Sequence, residues 1–415
     1  MWRDTNFLKL WAGQTISEIG SRVTREALPM TAVIVLGASP GQMGLLQALG
    51  GASALLAGPI AGILADRCGR KPILISADLL RAGALAVIPL AAAQGRLSLP
   101  VLIAVTAVTG FLTVLFDVAY QSIVPALVAR KQLLDANSKL ALSSSTAEVI
   151  GPAITGVLVQ AFTAPRAVLL DSLSFIVSAA SLLWLKVKET AREHSEEPGW
   201  GEITAGMRYV AHHALLRPLA LRTVCFAFFG GWIGPLYVLF AVRDLGMSPA
   251  VLGLVIAVGG VSNFVGAMLA GRIDKWFATG PVLITATFVA GVTVLLMPLA
   301  RGPVLGVLIL SLCQLLGDVS FPVYSVQELT LRQTVASAAM LGRVNAFMQM
   351  LFKGIFPLGA IFGGQFAEMA GIRTTFALAG IGILGGGLLL LFSDIRKADL
   401  ASHGVRRTGE SDPPA

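Results

Sequence analysis

Apolar runs of about twenty residues follow one another along nearly the whole chain, separated by short turns in which charged residues, Gly and Pro collect. As a helix, a run of that length covers the roughly 30 Å of a bilayer's hydrocarbon layer. The pattern predicts spans at residues 7–36, 41–64, 72–94, 99–122, 138–163, 166–187, 219–242, 249–272, 279–299, 303–326, 340–368 and 372–394, twelve in all. Barrel strands would alternate over about ten residues, and no such alternation is visible. The chain reads as an all-α integral membrane protein with 12 transmembrane helices.

The only long polar stretch, Lys188 to Gly199, divides the spans six and six. The predicted organisation is a six-helix bundle over 1–187, a cytoplasmic linker over 188–216, a second six-helix bundle over 217–395 and a polar, disordered cytoplasmic tail over 396–415. Within the linker, Ile203, Met207 and Val210 recur at helical spacing, which predicts a short amphipathic helix on the cytoplasmic face. The halves are related in sequence. Ser39-Pro40-Gly41-Gln42-Met43-Gly44-Leu45 returns 209 residues later as Ser248-Pro249-Ala250-Val251-Leu252-Gly253-Leu254. Ala61-Gly62 matches Ala270-Gly271, Asp66 matches Asp274, Asn137 matches Asn345, and Gly151 to Gly156 matches Gly359 to Gly364. Parallel repeats of this kind belong to transporters whose halves rock about a central site.

Composition agrees with the pattern: 55% of the 415 residues are hydrophobic and 13% charged, with a mean hydropathy of +0.78. A formal charge of +8 comes from short loops and not from one continuous patch, so the expected partner is the inner leaflet of a lipid bilayer and no nucleic acid is implied. Loop cations alternate in number. Arg67, Arg70 and Lys71, then Arg130 and Lys131, Arg272 and Lys275, and Arg332 and Arg343 sit in every second loop; the others hold single residues, Arg96, Arg166, Arg243, Arg301 and Arg373. The cation-rich side is cytoplasmic by the positive-inside rule, which places both termini there, in a bacterial inner membrane. The first span is too long and charged for a cleavable signal, and reads as an uncleaved anchor.

Several chemistries drop out. Cys68, Cys225 and Cys313 share no spacing, so neither a disulfide framework nor a metal site is indicated. His194, His212, His213 and His403 fall in the linker region and tail, leaving no catalytic cluster and no enzyme. Gly380-Ile381-Gly382-Ile383-Leu384-Gly385 matches a dinucleotide fingerprint but lies inside a span with no preceding strand. No phosphate-loop sequence is present, so no ATP and no cofactor are expected, and energy would come from an ion gradient.

Ionisable residues inside spans are costly and therefore functional candidates. Span 1 carries Glu18, Arg22, Arg25 and Glu26; spacing puts Glu18, Arg22 and Glu26 on one face, where they either neutralise one another or line a wet cavity. Glu148, in the middle of span 5, has no cation within a helical turn and is the first candidate for carrying a proton, with a salt bridge to Lys353 or Arg25 as the structural alternative. Lys353, midway along span 11, would contact an anionic substrate or hold Glu148. Asp78 and Arg81 form an i, i+3 pair expected near the cytoplasmic end of span 3, supporting a gate. Asp117 and Asp318 are expected in the cytoplasmic thirds of spans 4 and 10, and Asp171 near the outer end of span 6. Gly151-Pro152, followed by Gly156, marks a point in span 5 where a helix bends or slides.

The turn Gly62-x-Leu64-x-Asp66-Arg67-x-Gly69-Arg70-Lys71 resembles the loop 2–3 signature of the major facilitator superfamily, with a degenerate copy at Gly271-Arg272-Ile273-Asp274-Lys275. Leu10 to Ser17, Leu134 to Asn137, Gly151 to Ala153, Asp171 to Phe175 and Gly342 to Asn345 resemble its exporter branch, which includes macrolide-efflux and enterobactin-exporter proteins. The resemblance covers the full chain. It implies the major facilitator fold, a monomer, alternating access, and export of an amphipathic small molecule (a drug, macrolide, siderophore or other natural product) in antiport with protons. It also implies that Asp66 and Arg70, with Gly62, Arg67, Gly69, Lys71 and Asp274, latch the halves, and that Gly151-Pro152-x-x-x-Gly156 serves as an antiporter hinge. One departure counts against standard proton coupling: residues 101–116 lack the span 4 arginine of many drug–proton antiporters. An importer or uniporter of the same fold, and a non-transporting membrane sensor, are the alternatives.

Overall fold

A computed structural model describes residues 5–128, 132–185, 200–273 and 276–398; several side chains between 54 and 68, those of Asp66 and Arg67 included, are outside the description. The linker at 186–199, the tail from 399, and Arg130, Lys131, Asp274 and Lys275 also lie outside the described residues. Among the described residues there are thirteen α-helices and no strand: α1 (Thr5–Met30), α2 (Pro40–Cys68), α3 (Arg70–Ala93), α4 (Leu99–Leu127), α5 (Leu133–Phe162), α6 (Ala164–Leu183), α7 (Trp200–His212), α8 (Leu216–Leu239), α9 (Pro249–Ile273), α10 (Thr279–Leu296), α11 (Gly302–Val335), α12 (Ala338–Ala370) and α13 (Ile372–Leu391). All but the 13-residue α7 are long, and ten of them are apolar enough over sufficient length to cross a membrane. Lys71 at the start of α3 donates to the carbonyls of Leu183 and Leu185 at the end of α6, so these termini share one end of the bundle, here called the linker end; the α1–α2 and α8–α9 turns lie at the far end.

Membrane burial inverts the usual amphipathy. On α6, Asp171, Ser172, Ser174 and Ser178 are buried while Leu173, Ile176 and Leu183 are exposed. The buried polar stripe packs on α1, where Gly13 and Gly20 leave no room for a side chain against Ser181 and Ser174, and Gln14 Nε2 donates to Ser178 Oγ at 2.9 Å. Small residues bring helices close enough for such bonds, and leucines face lipid.

The repeat is deeper in the structure than in the sequence. Both α1 and α8 end in a π-turn, Thr31–Val35 and Phe240–Asp244, followed by Gly37 and Gly246 at φ +65° and +68°. That backbone region disfavours a Cβ, which explains glycine at both places. Ser39 then starts α2 with a capping box, its Oγ accepting from Gln42 N while Gln42 Oε1 accepts from Ser39 N.

Helices α1–α6 pack among themselves, α8–α13 likewise, and the two groups meet chiefly through α5 on α9 and α2 on α12. These junctions are equivalents under the repeat. Gly253 lies against the carbonyl of Pro152 and Gly44 against that of Ala360; Gly156 faces the carbonyl of Pro249 and Gly364 that of Pro40. At each, a Cβ would strike backbone, so only glycine lets the helices touch. Beside each seam a side chain caps the facing helix: Gln160 Oε1 accepts from Ala250 N at 3.2 Å, and Glu368 Oε1 accepts from Gly41 N at 3.0 Å and from Ser39 Oγ. Both caps satisfy otherwise orphaned N-terminal amides.

Three expectations need correction. The amphipathic helix α7 forms, with Val210 buried and Ile203 packed beside it as expected, but this face lies on α12 and α8; Met207 is exposed, and Gly206 makes the close contact, against the Arg343 carbonyl. Second, α11 runs nine residues past its predicted end, because Pro322 is tolerated within it and the polar turns from Ser325 onward continue helical. Asp318 therefore sits at mid-helix. Third, α4 continues to Leu127, which draws Asp117 inward, and Arg81 lies at the midpoint of α3 instead of near its cytoplasmic end.

The seams predict that bulk opens the far end. In a cysteine-free background carrying Gln47→Cys in the cavity, Gly156→Leu should raise labelling by a membrane-impermeant maleimide applied from the far-end side several-fold. Unchanged labelling would contradict the packing.

Candidate functional site

Between the halves lies a cavity of about 420 Å³ lined by α1, α2, α8, α9, α10, α11 and α13. Arg25 is shared with a cavity of about 600 Å³ among α1–α4 and α6, and Arg222, Phe226, Phe321 and Tyr324 are shared with one of about 380 Å³ among α8, α11 and α12. A smaller space of about 160 Å³ joins Arg22, Glu148, Asn263 and Asp318.

Glu148 is held by neither Lys353 nor Arg25. Its Oε1 lies 3.5 Å from Arg22 Nη1 and accepts from Asn263 Nδ2 at 3.4 Å, so one carboxylate ties α5 to α1 and to α9 of the other half. The local sequence builds this junction. Gly151 lies against the Arg22 side chain, where a Cβ would collide with it; Pro152 has no N–H for the Glu148 carbonyl, which faces Gly260 of α9. Arg22 thus turns to α5 in place of neutralising Glu18 or Glu26 on its own helix, because the facing helix supplies a carboxylate at the same depth. Arg25 and Glu26 line the central cavity with Asp318, whose carboxylate abuts Gly259. Glu18 is within electrostatic reach of Asp117, and Asp117 of Lys353.

Asp78 and Arg81 do pair, at 2.5 Å with both side chains almost fully buried. The guanidinium stacks 4.4 Å from the Phe116 ring centre and 4.1 Å from that of Phe175, and Nη1 reaches Thr113 Oγ1 at 3.4 Å. Arg81 and Asp171 both line the cavity of the first half. The pair forms part of a mid-depth wall instead of a gate at the helix end.

The second half holds a group that sequence reading missed. Arg222, buried on α8, sits 3.5 Å from the centre of the Tyr324 ring and 4.3 Å from that of Phe226, and donates through Nε to Thr287 at 3.2 Å. Glu328 and Arg332 pair at 3.0 Å below it. Arg222 is a lone cation among Leu219, Ala220 and Leu221 in a predicted span, the criterion that singled out Lys353; it escaped notice by lying close to the span's start.

Of the latch residues, Asp66 and Arg67 have side chains outside the description and Asp274 is wholly outside it. Gly62 is in the last turns of α2, Gly69 links α2 to α3 at φ +72°, where glycine is favoured, and Arg70 begins α3. Lys71 places its ammonium at the C-terminal carbonyls of α6, 2.9 and 2.7 Å away, a stabilising use of the helix dipole within one half.

Two six-helix groups around a charged central cavity define a membrane transporter. The family model described as a transmembrane secretion effector, MFS_3, matches residues 2–410, and the chain belongs to that family within the major facilitator superfamily. It is similar to macrolide efflux protein A of Streptococcus pyogenes, at 24% identity over 400 residues covering 95% of this chain and 97% of that protein. The multidrug efflux pump Tap of Mycolicibacterium fortuitum is 27% identical over 362 residues, covering 84% and 86%. Among solved structures, the nucleoside transporter NupG aligns with a TM-score of 0.76 at 12% identity, covering 93% of this chain and 98% of that one. A bacterial homologue of the iron transporter ferroportin in the inward-facing state aligns at 0.71 and 17%, covering 93% and 97%. The chain is a multi-pass membrane transport protein of the major facilitator superfamily and not an enzyme.

The buried pair on α3 carries a stability prediction. Arg81→Met alone leaves Asp78 uncompensated and should cost roughly 3–5 kcal/mol. Adding Asp78→Asn should recover part of the lost unfolding temperature in detergent; equal melting of single and double variants would contradict a coupled pair.

Proposed function

We propose that the protein exports amphipathic small molecules from the cytoplasm of a bacterium in exchange for protons, by alternating access, with both termini and the linker end cytoplasmic. Export as the direction is supported by the full-length similarity to proteins named for efflux. The cation-rich loops at the linker end support the orientation.

The observation that carries the coupling is the junction at Glu148. A carboxylate that holds Arg22 of its own half and Asn263 of the other is where a proton acts on the contact between halves. A proton on Glu148 removes its attraction for Arg22 and turns the charge-assisted bond from Asn263 into a weaker neutral one, which loosens the tie across the halves that accompanies the closed far end. Substrate bound in the cavity and a proton on Glu148 then favour different states, the requirement for antiport. In the alternate state the linker end closes, and there Asp66, Arg70 and Asp274 serve as the latch, with a carboxylate set against a helix N-terminus.

In energised everted vesicles, a panel of macrolides, cationic dyes and aromatic acids should include compounds that accumulate and are lost on adding a protonophore. Accumulation indifferent to the protonophore refutes proton coupling. Glu148→Gln should abolish the pH dependence of transport while melting like the parent; an unaltered pH profile removes Glu148 from the mechanism. In whole cells an exporter lowers accumulation, whereas an importer or uniporter would raise it.

A further inference from the structure

The pocket of about 380 Å³ between α8, α11 and α12 is chemically unlike the rest of the cavity. Its charged lining is Arg222, Arg332, Lys353 and Glu328. Glu328 is taken up by Arg332 at 3.0 Å, and neither Arg222 nor Lys353 has a carboxylate within ion-pairing distance among the described residues. Glu328 is also within electrostatic reach of Arg222, and Asp117 of Lys353, but the pocket's own lining sets three cations against one carboxylate and so keeps a surplus of positive charge.

They differ in character. Arg222 is clamped between the Tyr324 and Phe226 rings and by Thr287, so its guanidinium is fixed in place at almost no further entropic cost. Lys353 is exposed on α12 and reaches by a flexible stem. Buried positive charge in excess of its carboxylates is expensive, and a bound anion offsets that cost. The aromatic walls, Phe226 and Tyr324 with Phe321 and Phe352, suit a flat apolar body. On the opposite side of the central cavity the charges near Asp318 are mixed, with Glu26 beside Arg25, which gives an anion no such preference.

We propose that this pocket is a binding subsite for the acidic group of an aromatic or amphiphilic anion, a carboxylate or sulfonate whose charge lies between Lys353 and Arg222 and whose rings stack on the aromatic wall. The assignment deepens the exporter reading and rests on it for physiological meaning, but its test is one of binding and does not depend on transport.

Purified full-length protein in lipid nanodiscs is titrated calorimetrically with 1-naphthalenesulfonate and with 1-naphthylmethylammonium, equal in shape and opposite in charge, against empty nanodiscs. The sulfonate should bind at least tenfold more tightly than the ammonium. Lys353→Gln should weaken the sulfonate at least tenfold and Lys353→Arg should retain it, while Arg96→Gln, an exposed far-end cation, changes nothing. Arg222→Met should act like Lys353→Gln, and because that buried change threatens folding, the Lys353 pair decides. Equal affinity for the two probes, an unaffected Lys353→Gln, or equal losses in Lys353→Gln and Arg96→Gln would overturn the proposal. Anion binding without energised export would overturn the exporter reading and leave the subsite standing.

Discussion

The arrangement depends on how closely two helices can approach when nothing but a hydrogen separates their backbones. Gly156 against the Pro249 carbonyl and Gly364 against that of Pro40, with Gly253 and Gly44 returning the contact, bring the two halves together on opposite sides of one pseudo-twofold axis. In lipid there is no hydrophobic drive to press helices together, so contact of this kind and the hydrogen bonds it permits must hold the interface. Such an interface is short-range and carries few large side chains. It can be closed at one end and remade elsewhere without extracting a large apolar surface, which suits the alternating access proposed for this protein.

The charges follow from that packing. Gly151 and Pro152 bring α5 against α1 and leave a carbonyl free towards α9, so Glu148 stands where three helices from both halves converge. The far-end caps repeat the theme, with an amide side chain at Gln160 and a carboxylate at Glu368 in equivalent places. One seam thus closes with a neutral contact and the other with a charged one. The cavity wall is unequal in the same way: Arg81 of the first half is neutralised by Asp78, whereas Arg222 of the second is not paired with a carboxylate among the described residues.

Much of this was legible beforehand. Each of the twelve predicted spans falls on a long helix, to within a few residues at most ends, and ten of those helices are apolar enough over sufficient length to cross a membrane, since a 20-residue apolar run has no other stable form in hydrocarbon. The Ser-Pro repeat and the paired glycines turned out to be the very atoms in contact across the seam. What could not be read was which charges meet. Arg22 and Glu148 are far apart in sequence, and no periodicity on α1 or α5 announces their shared depth; α11 outran its predicted end, which moved Asp318 into the cavity; and Gln160 and Glu368, equivalent under the repeat, differ in residue type and so gave no motif.

The central claim is that the halves exchange a closed far end for a closed linker end around Glu148. It is tested most directly by spin-label distances in nanodiscs, between labels at Phe162 and Leu299 for the far end and at Leu134 and Leu329 for the linker end, all exposed positions. On lowering the pH the first distance should lengthen as the second shortens, and Glu148→Gln should hold one distribution at every pH. Distances that stay fixed, or that rise and fall together, would contradict the account.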